Sequence, residues 1–326
     1  MRYRTIGTGA AARRVSTLCL GALPFGTAVD EADSFALLDR FAEAGGTFVD
    51  TSDAYSFWLP GRVGGESEAV LGRWLRSRGA GGETVVATKA GARPAARGGV
   101  RPRGGAGYEP EGLSAAAVRA AVAGSLERLG TDRIDLLYAH VPDPSTPLAE
   151  TAGVFADLVE EGAVGLLGIS NHEAEDIGRA RAHAAARPRV EVAQYRHSYL
   201  RPLPGAALPE SAHVHTTPEL LGRIRAEGMP LVAYSTLISG AYTRADRPLP
   251  AAYDHPGTRE RLRALDRVAA ETGATRNQVV LAWLMGGPEP VVPLVGASTL
   301  AQLDEVLAAA ELDLTAEQRE LLDTAG

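Results

Sequence analysis

Thr84-Val85-Val86-Ala87-Thr88-Lys89 is an apolar, β-branched run that finishes on the only lysine of the 326-residue chain. Two other runs end the same way. Gly46-Thr47-Phe48-Val49-Asp50 closes on a carboxylate, with Tyr55 in the loop that follows. Ile134-Asp135-Leu136-Leu137-Tyr138-Ala139-His140 closes on an imidazole. Short continuous apolar runs of this kind suit strands buried on both faces. A polar group is a costly way to finish such a strand unless that end opens onto something polar. Asp50, Tyr55, Lys89 and His140 are therefore expected to share one floor of side chains.

Working outward, strand-like runs recur at 18–23, 47–50, 84–89, 134–140, 164–169, 190–195, 230–234 and 291–295. Segments of helical period separate and follow them, at 31–43, 66–78, 114–129, 147–161, 173–185, 217–227, 258–285, 299–309 and 315–323. Asp30 or Glu31, Ser114, Thr217 before Pro218, and Thr315 are suited to cap helix starts, and Gly45, Gly130 and Gly162 to end helices. Eight strand–helix units without a linker predict an α/β fold, a closed (β/α)8 TIM barrel forming a single domain over 1–326. An open doubly wound sheet would want a glycine-rich phosphate turn, and Gly21-Ala22-Leu23-Pro24-Phe25-Gly26 does not match one. The run 1–16 is expected to form a small β-hairpin covering the barrel bottom. Two loops, 56–65 and the Gly/Pro/Arg-rich 90–112, belong to the face where barrel ligands bind. The second is of low complexity.

Composition narrows the partners. Apolar residues make up 45% of the chain, ample for a large core. Lys plus Arg less Asp plus Glu gives 33 − 40 = −7, which argues against a nucleic-acid or anionic-membrane surface. Cys19 is the single cysteine, so no intramolecular disulfide forms and the residue reads as a small buried hydrophobe. The N-terminus has no apolar signal core and no apolar run spans a membrane, so a cytoplasmic location is expected. Nothing in the periodicity sets an oligomeric state.

The four strand-end residues suit reduction of an aldehyde or ketone. As hydride arrives at a carbonyl carbon, the oxygen gains negative charge and needs a proton donor. A tyrosine, with an ordinary pKa of about 10, can give that proton if a cation stabilises its phenolate. Lys89 can supply the cation, Asp50 can hold the ammonium, and His140 can polarise the carbonyl. Taken singly, Asp50 is as good a cap, Tyr55 a rim aromatic and His140 a core residue. The lone lysine is harder to explain that way, because burying an unpaired ammonium is costly.

At this point the chain resembles the aldo-keto reductase superfamily, nearly end to end. The resemblance lies in Tyr3-Arg4-Thr5-Ile6-Gly7 with Leu18-Cys19-Leu20-Gly21, in Asp50-Thr51-Ser52-Asp53-Ala54-Tyr55, in Glu66-Ser67-Glu68 with Leu71-Gly72, in Ala87-Thr88-Lys89, and in Asp135 to His140 followed by Pro142-Asp143-Pro144. It implies an NADPH-dependent oxidoreductase, with NADH possible, that acts on a small carbonyl substrate. Tyr55 would be the general acid, with Asp50, Lys89 and His140 around it. It further implies that Ser170, Asn171 and Gln194 hold the nicotinamide carboxamide and that Tyr234 stacks on its ring. Ser235, Leu237 and Gly240 would line the pyrophosphate. Gly296, Ala297, Ser298, Gln302 and Glu305 would meet the adenosine phosphate.

The chain departs from that pattern in places. Gly296, Gln302 and Val306 stand where many members carry Lys, Arg and Asn, which leaves fewer cations for a 2′-phosphate. Arg244 is offset by one from the usual basic residue. Phe57-Trp58-Leu59-Pro60-Gly61-Arg62 replaces a glycine-rich stretch, and Phe57 and Trp58, with Leu23 and Tyr199, are candidates for a substrate wall, core packing being an equal reading of Leu23 and Tyr199. Two other function classes compete. One is a non-catalytic nucleotide-sensing subunit on the same barrel. The other is a metal-dependent barrel hydrolase built on His213-Val214-His215, which would recruit His172, His197 or His255.

Overall fold

The computed structural model describes residues 1–95, 108–206, 213–288 and 291–326. Part of the low-complexity loop, 96–107, lies outside the described residues. The chain opens with an antiparallel hairpin of β1 (Tyr3–Ile6) and β2 (Arg13–Ser16). Eight parallel strands then close a barrel: β3 (Cys19–Gly21), β4 (Phe48–Asp50), β5 (Val85–Ala90), β6 (Ile134–Ala139), β7 (Val164–Ser170), β8 (Val190–Arg196), β9 (Leu231–Tyr234) and β10 (Val291–Val295), with β10 pairing back onto β3. The helices are α1 (Glu31–Glu43), α2 (Glu66–Arg78), α3 (Ala115–Leu129), α4 (Leu148–Glu160), α5 (Ala174–Ala184), α6 (Pro218–Ala226), α7 (Pro256–Thr272), α8 (Arg276–Met285), α9 (Leu300–Ala308) and α10 (Ala316–Thr324).

The period-2 alternation of a strand sorts these residues into two cores. Val49, Val86, Leu137, Leu167, Ala193, Ala233 and Val295 point outward and pack under the helices. Phe48, Val85, Ala87, Leu136, Leu166, Val192, Val232 and Val292 point inward and fill the barrel, joined by Ile6 and Val15 of the hairpin. The hairpin thus plugs the end where the strands begin. Burying each such side chain is worth roughly 1.5–3 kcal/mol. The inward positions at the opposite end are Asp50, Lys89, Ser170, Gln194 and Tyr234, so the alternation that fills the barrel also gathers its polar groups at one mouth.

Asp30, Ser114, Thr217 and Thr315 each accept a backbone N–H at a helix start, as expected. One expectation fails. Residues 258–285 are two helices, because Gly273 ends α7 in the left-handed conformation (φ 67°) and Thr275 starts α8. Thr275 and Gln278 form a reciprocal capping box, which satisfies the amides a new helix start leaves open. Among the described residues no helix is long and apolar enough to cross a membrane.

Candidate active site

The mouth of the barrel opens into a cavity of about 680 Å³. Lys89 and Asp50 are fully buried at its floor and form an ion pair. The Lys89 ammonium also donates to Thr51 O at 2.6 Å and to the Tyr55 hydroxyl oxygen at 2.7 Å. The Tyr55 hydroxyl in turn donates to Asp50 Oδ1 at 3.2 Å. The second carboxylate oxygen of Asp50 accepts from Gln194 Nε2 at 2.7 Å. A buried ion pair persists only when further hydrogen bonds satisfy its remaining groups, and these partners do so.

His140 stands edge-on to Tyr55, ring centroids 6.1 Å apart, and its Nδ1 meets Ser52 Oγ at 3.2 Å. Burial holds the imidazole pKa well below its ordinary value, and the positive charge of Lys89 pushes the same way. The ring is therefore neutral at physiological pH. The Tyr55 phenol is raised well above its ordinary value, first by burial and then by the Asp50 carboxylate. Asp50 screens Lys89, so the ammonium does not make the resting phenol acidic. The free site thus holds Tyr55 protonated, which is the form a proton donor needs.

Gly168 sits across the sheet from Tyr138, and a methyl group there would run into the Tyr138 ring. The glycine makes room for a fully buried phenol directly below the Asp50–Gln194 pair.

The cavity runs from Tyr55 and His140, past Ser170, Asn171, Gln194 and Tyr234, along Ser235, Leu237 and Gly240, to Gly296, Ser298, Gln302 and Glu305. All the catalytic and cofactor-binding candidates named from the sequence border it except three. Asp50 and Lys89 lie beneath its floor, and Ala297 is buried behind it. Asn171 is already saturated. Its Nδ2 donates to His140 O and Ser170 Oγ at 3.0 Å each, and its Oδ1 accepts from Tyr234 Oη at 2.7 Å and Val214 N at 3.1 Å. It is left to brace Tyr234 and His140, so Ser170 and Gln194 are the freer groups for a carboxamide.

The segment after β9 is strained. Ser235, Ile238 and Ser239 have φ of 53°, 47° and 55°, conformations that cost non-glycine residues about 1–3 kcal/mol each. Such strain concentrates where backbone must meet a ligand.

Phe57 and Trp58 do line the mouth, stacked edge-on with centroids 5.2 Å apart, and Tyr108 joins Phe57 at 5.0 Å. Leu23 faces the cavity. Tyr199 does not: it is fully buried, donates to Leu322 O at 3.2 Å and packs on Trp283. Of the two readings of Tyr199, substrate wall or core, the structure places it in the outer core.

Sequence reasoning missed Tyr108, Arg196, Asn277 and Leu294 on the wall and offered His213, also there, only as a metal ligand. Arg196 and Leu294 were within reach, each lying two residues beyond an inward position, Gln194 and Val292. The His213-Val214-His215 motif does not assemble a site. His213 is edge-on to Tyr234 at 5.3 Å while the Nδ1 of His215 meets Thr216 O at 3.1 Å. Among the described residues no group of three His, Cys, Asp or Glu side chains converges as metal ligands would.

Comparison with known proteins agrees with this geometry. The model of the aldo/keto reductase family matches residues 17–326. An uncharacterised oxidoreductase of Bacillus subtilis (strain 168) is 30% identical, over 99% of this chain and 95% of that protein. Norsolorinic acid reductase B of Aspergillus parasiticus is 31% identical, over 99% and 84%. An aryl-alcohol dehydrogenase of Pestalotiopsis microspora is 30% identical, over 97% and 80%. With the barrel, the strand-end tetrad and a match over nearly its whole length, the chain belongs to the aldo/keto reductase family.

Proposed function

We propose that the protein reduces an aldehyde or ketone to an alcohol, with Tyr55 as the general acid. The observation that carries this reading is the hydrogen-bonded chain Asp50–Lys89–Tyr55 at the floor of a cavity whose wall holds a neutral His140. The cofactor fits the groups present: Ser170 and Gln194 offer amide-binding polar atoms, Tyr234 an aromatic face, and the strained 235–240 backbone a polar rim. NAD(P)H supplies a hydride to the carbonyl carbon when bound.

The chain's own residues do the rest. The Tyr55 O–H donates to the carbonyl oxygen and passes its proton there as the oxygen becomes an alkoxide. Lys89, held by Asp50, donates a hydrogen bond to the phenolate left behind and balances its charge. His140, whose Nδ1 lies 3.2 Å from Ser52 Oγ, polarises the same oxygen when its other nitrogen carries the ring hydrogen.

The mouth argues for an aryl carbonyl. Phe57, Trp58 and Tyr108 form an aromatic wall beside Tyr55, and edge or offset stacking on a flat substrate adds roughly 0.5–1.5 kcal/mol per ring. Relatives named for norsolorinic acid and for aryl alcohols are consistent with that class. The test is oxidation of NADH and NADPH across matched aryl and alkyl aldehydes and ketones. Aryl substrates are expected to give the higher kcat/KM, and Trp58→Ala to raise KM for them selectively. No oxidation of either nucleotide with any carbonyl would refute the reading.

A further inference from the structure

We infer that the far end of the cavity is built to hold the adenosine of the dinucleotide by its hydroxyl groups and against a 2′-phosphate, so that NADH is the preferred hydride donor. This rests on the dinucleotide reading above and departs from the NADPH that the family resemblance implies.

A phosphate needs cations or free amides, whereas a ribose diol needs acceptors. Dinucleotide sites commonly separate the two by placing a carboxylate at the 2′-hydroxyl or an arginine at the 2′-phosphate. Here the wall carries the carboxylate of Glu305, fixed by Thr275 Oγ1 at 2.8 Å and Asn277 Nδ2 at 3.2 Å. Asn277 also lines this end; it is nine-tenths buried, and its Oδ1 has no donor among the described residues. Its amide is oriented by Glu305 and by Thr243 Oγ1 at 3.1 Å, both of which take hydrogens from Nδ2.

Two groups that could oppose this, the Ser298 amide and the Arg244 guanidinium, already have partners. Ser298 N, two residues ahead of α9, donates to Gln302 Oε1 at 2.8 Å. Gln302 N donates to Thr299 Oγ1 at 3.3 Å. Among the described residues, the one arginine on this stretch of wall is Arg244, and it donates to both oxygens of Asp246, at 3.1 and 2.6 Å. The chain's only lysine lies at the other end, under Tyr55. A phosphate dianion would meet Glu305 with little to offset it, and like charges at contact cost affinity.

The test is calorimetric titration of the full chain with NADH and with NADPH, without substrate. Wild type is expected to bind NADH at least about tenfold more tightly than NADPH. Gln302→Arg should free Ser298 N, add a cation and tighten NADPH by about tenfold while leaving NADH nearly unchanged. Glu305→Gln should weaken NADH and narrow the gap without relying on a new charge. Wild type binding NADPH as tightly as NADH, or more so, overturns the assignment while leaving the dinucleotide reading intact. Failure to bind either nucleotide overturns both.

Discussion

The Tyr55 hydroxyl lies 2.7 Å from the Lys89 ammonium, although the two residues come from different strand–loop units 34 positions apart. Asp50 touches both. The parallel register of β4 against β5 sets Asp50 opposite Ala87, so Lys89 rises one inward step further toward the mouth. The contact is a product of barrel geometry, and its charge balance leads to the first expectation.

Breaking the buried pair should cost more than removing it. Lys89→Met leaves Asp50 ionised and uncompensated, and such a loss is worth about 3–5 kcal/mol. Adding Asp50→Leu to that variant should recover part of the loss. Urea unfolding of the single and double variants measures this, and strictly additive losses would contradict it.

Acid should destabilise the fold through buried histidines. His197 is pushed down to about 3, chiefly by burial and further by His215 and Arg201, and its Nδ1 meets Thr216 Oγ1 at 2.6 Å. A depressed folded pKa means that the unfolded chain binds the proton more readily. Stability is therefore intact above the unfolded value of about 6.5 and is lost as pH falls through the window down to 3, by roughly 1.4 kcal/mol per unit. His140 acts in the same direction. His197→Gln should flatten the slope of unfolding free energy against pH below 6.5, measured by denaturant titration, and an unchanged slope would exclude His197 as its source.

Gly168→Ala should displace the Tyr138 ring and cost about 1–3 kcal/mol by overpacking. Tyr138→Leu in the same chain should restore part of that stability. The thermal midpoints of the single and double variants report it directly.

Much of the architecture was legible because it rests on local rules. Eight apolar runs and helix caps at Asp30, Ser114, Thr217 and Thr315 were all visible in the chain. So was the tetrad, because Lys89, Asp50 and His140 are anomalous ends to apolar strands. The break between α7 and α8 carried its own signal, Gly273 followed by Thr275 and Gln278, but a continuous helical period across it masked the boundary. The left-handed backbone of Ser235, Ile238 and Ser239 had no such signal, since propensity opposes it and only tertiary packing holds it. The saturation of Asn171 was equally hidden. It depends on partners from 140, 170, 214 and 234 that meet only in the folded barrel.

The central claim is that the Tyr55 hydroxyl hands its proton to the reacting oxygen. Tyr55→Phe keeps the ring and its packing and removes only that hydrogen. Single-turnover reduction of an aryl aldehyde, run beside nucleotide titration, should show the chemical step slowed by about 10²–10⁴-fold with nucleotide affinity within about twofold of wild type. A variant that reduces the aldehyde at the wild-type rate would contradict the account.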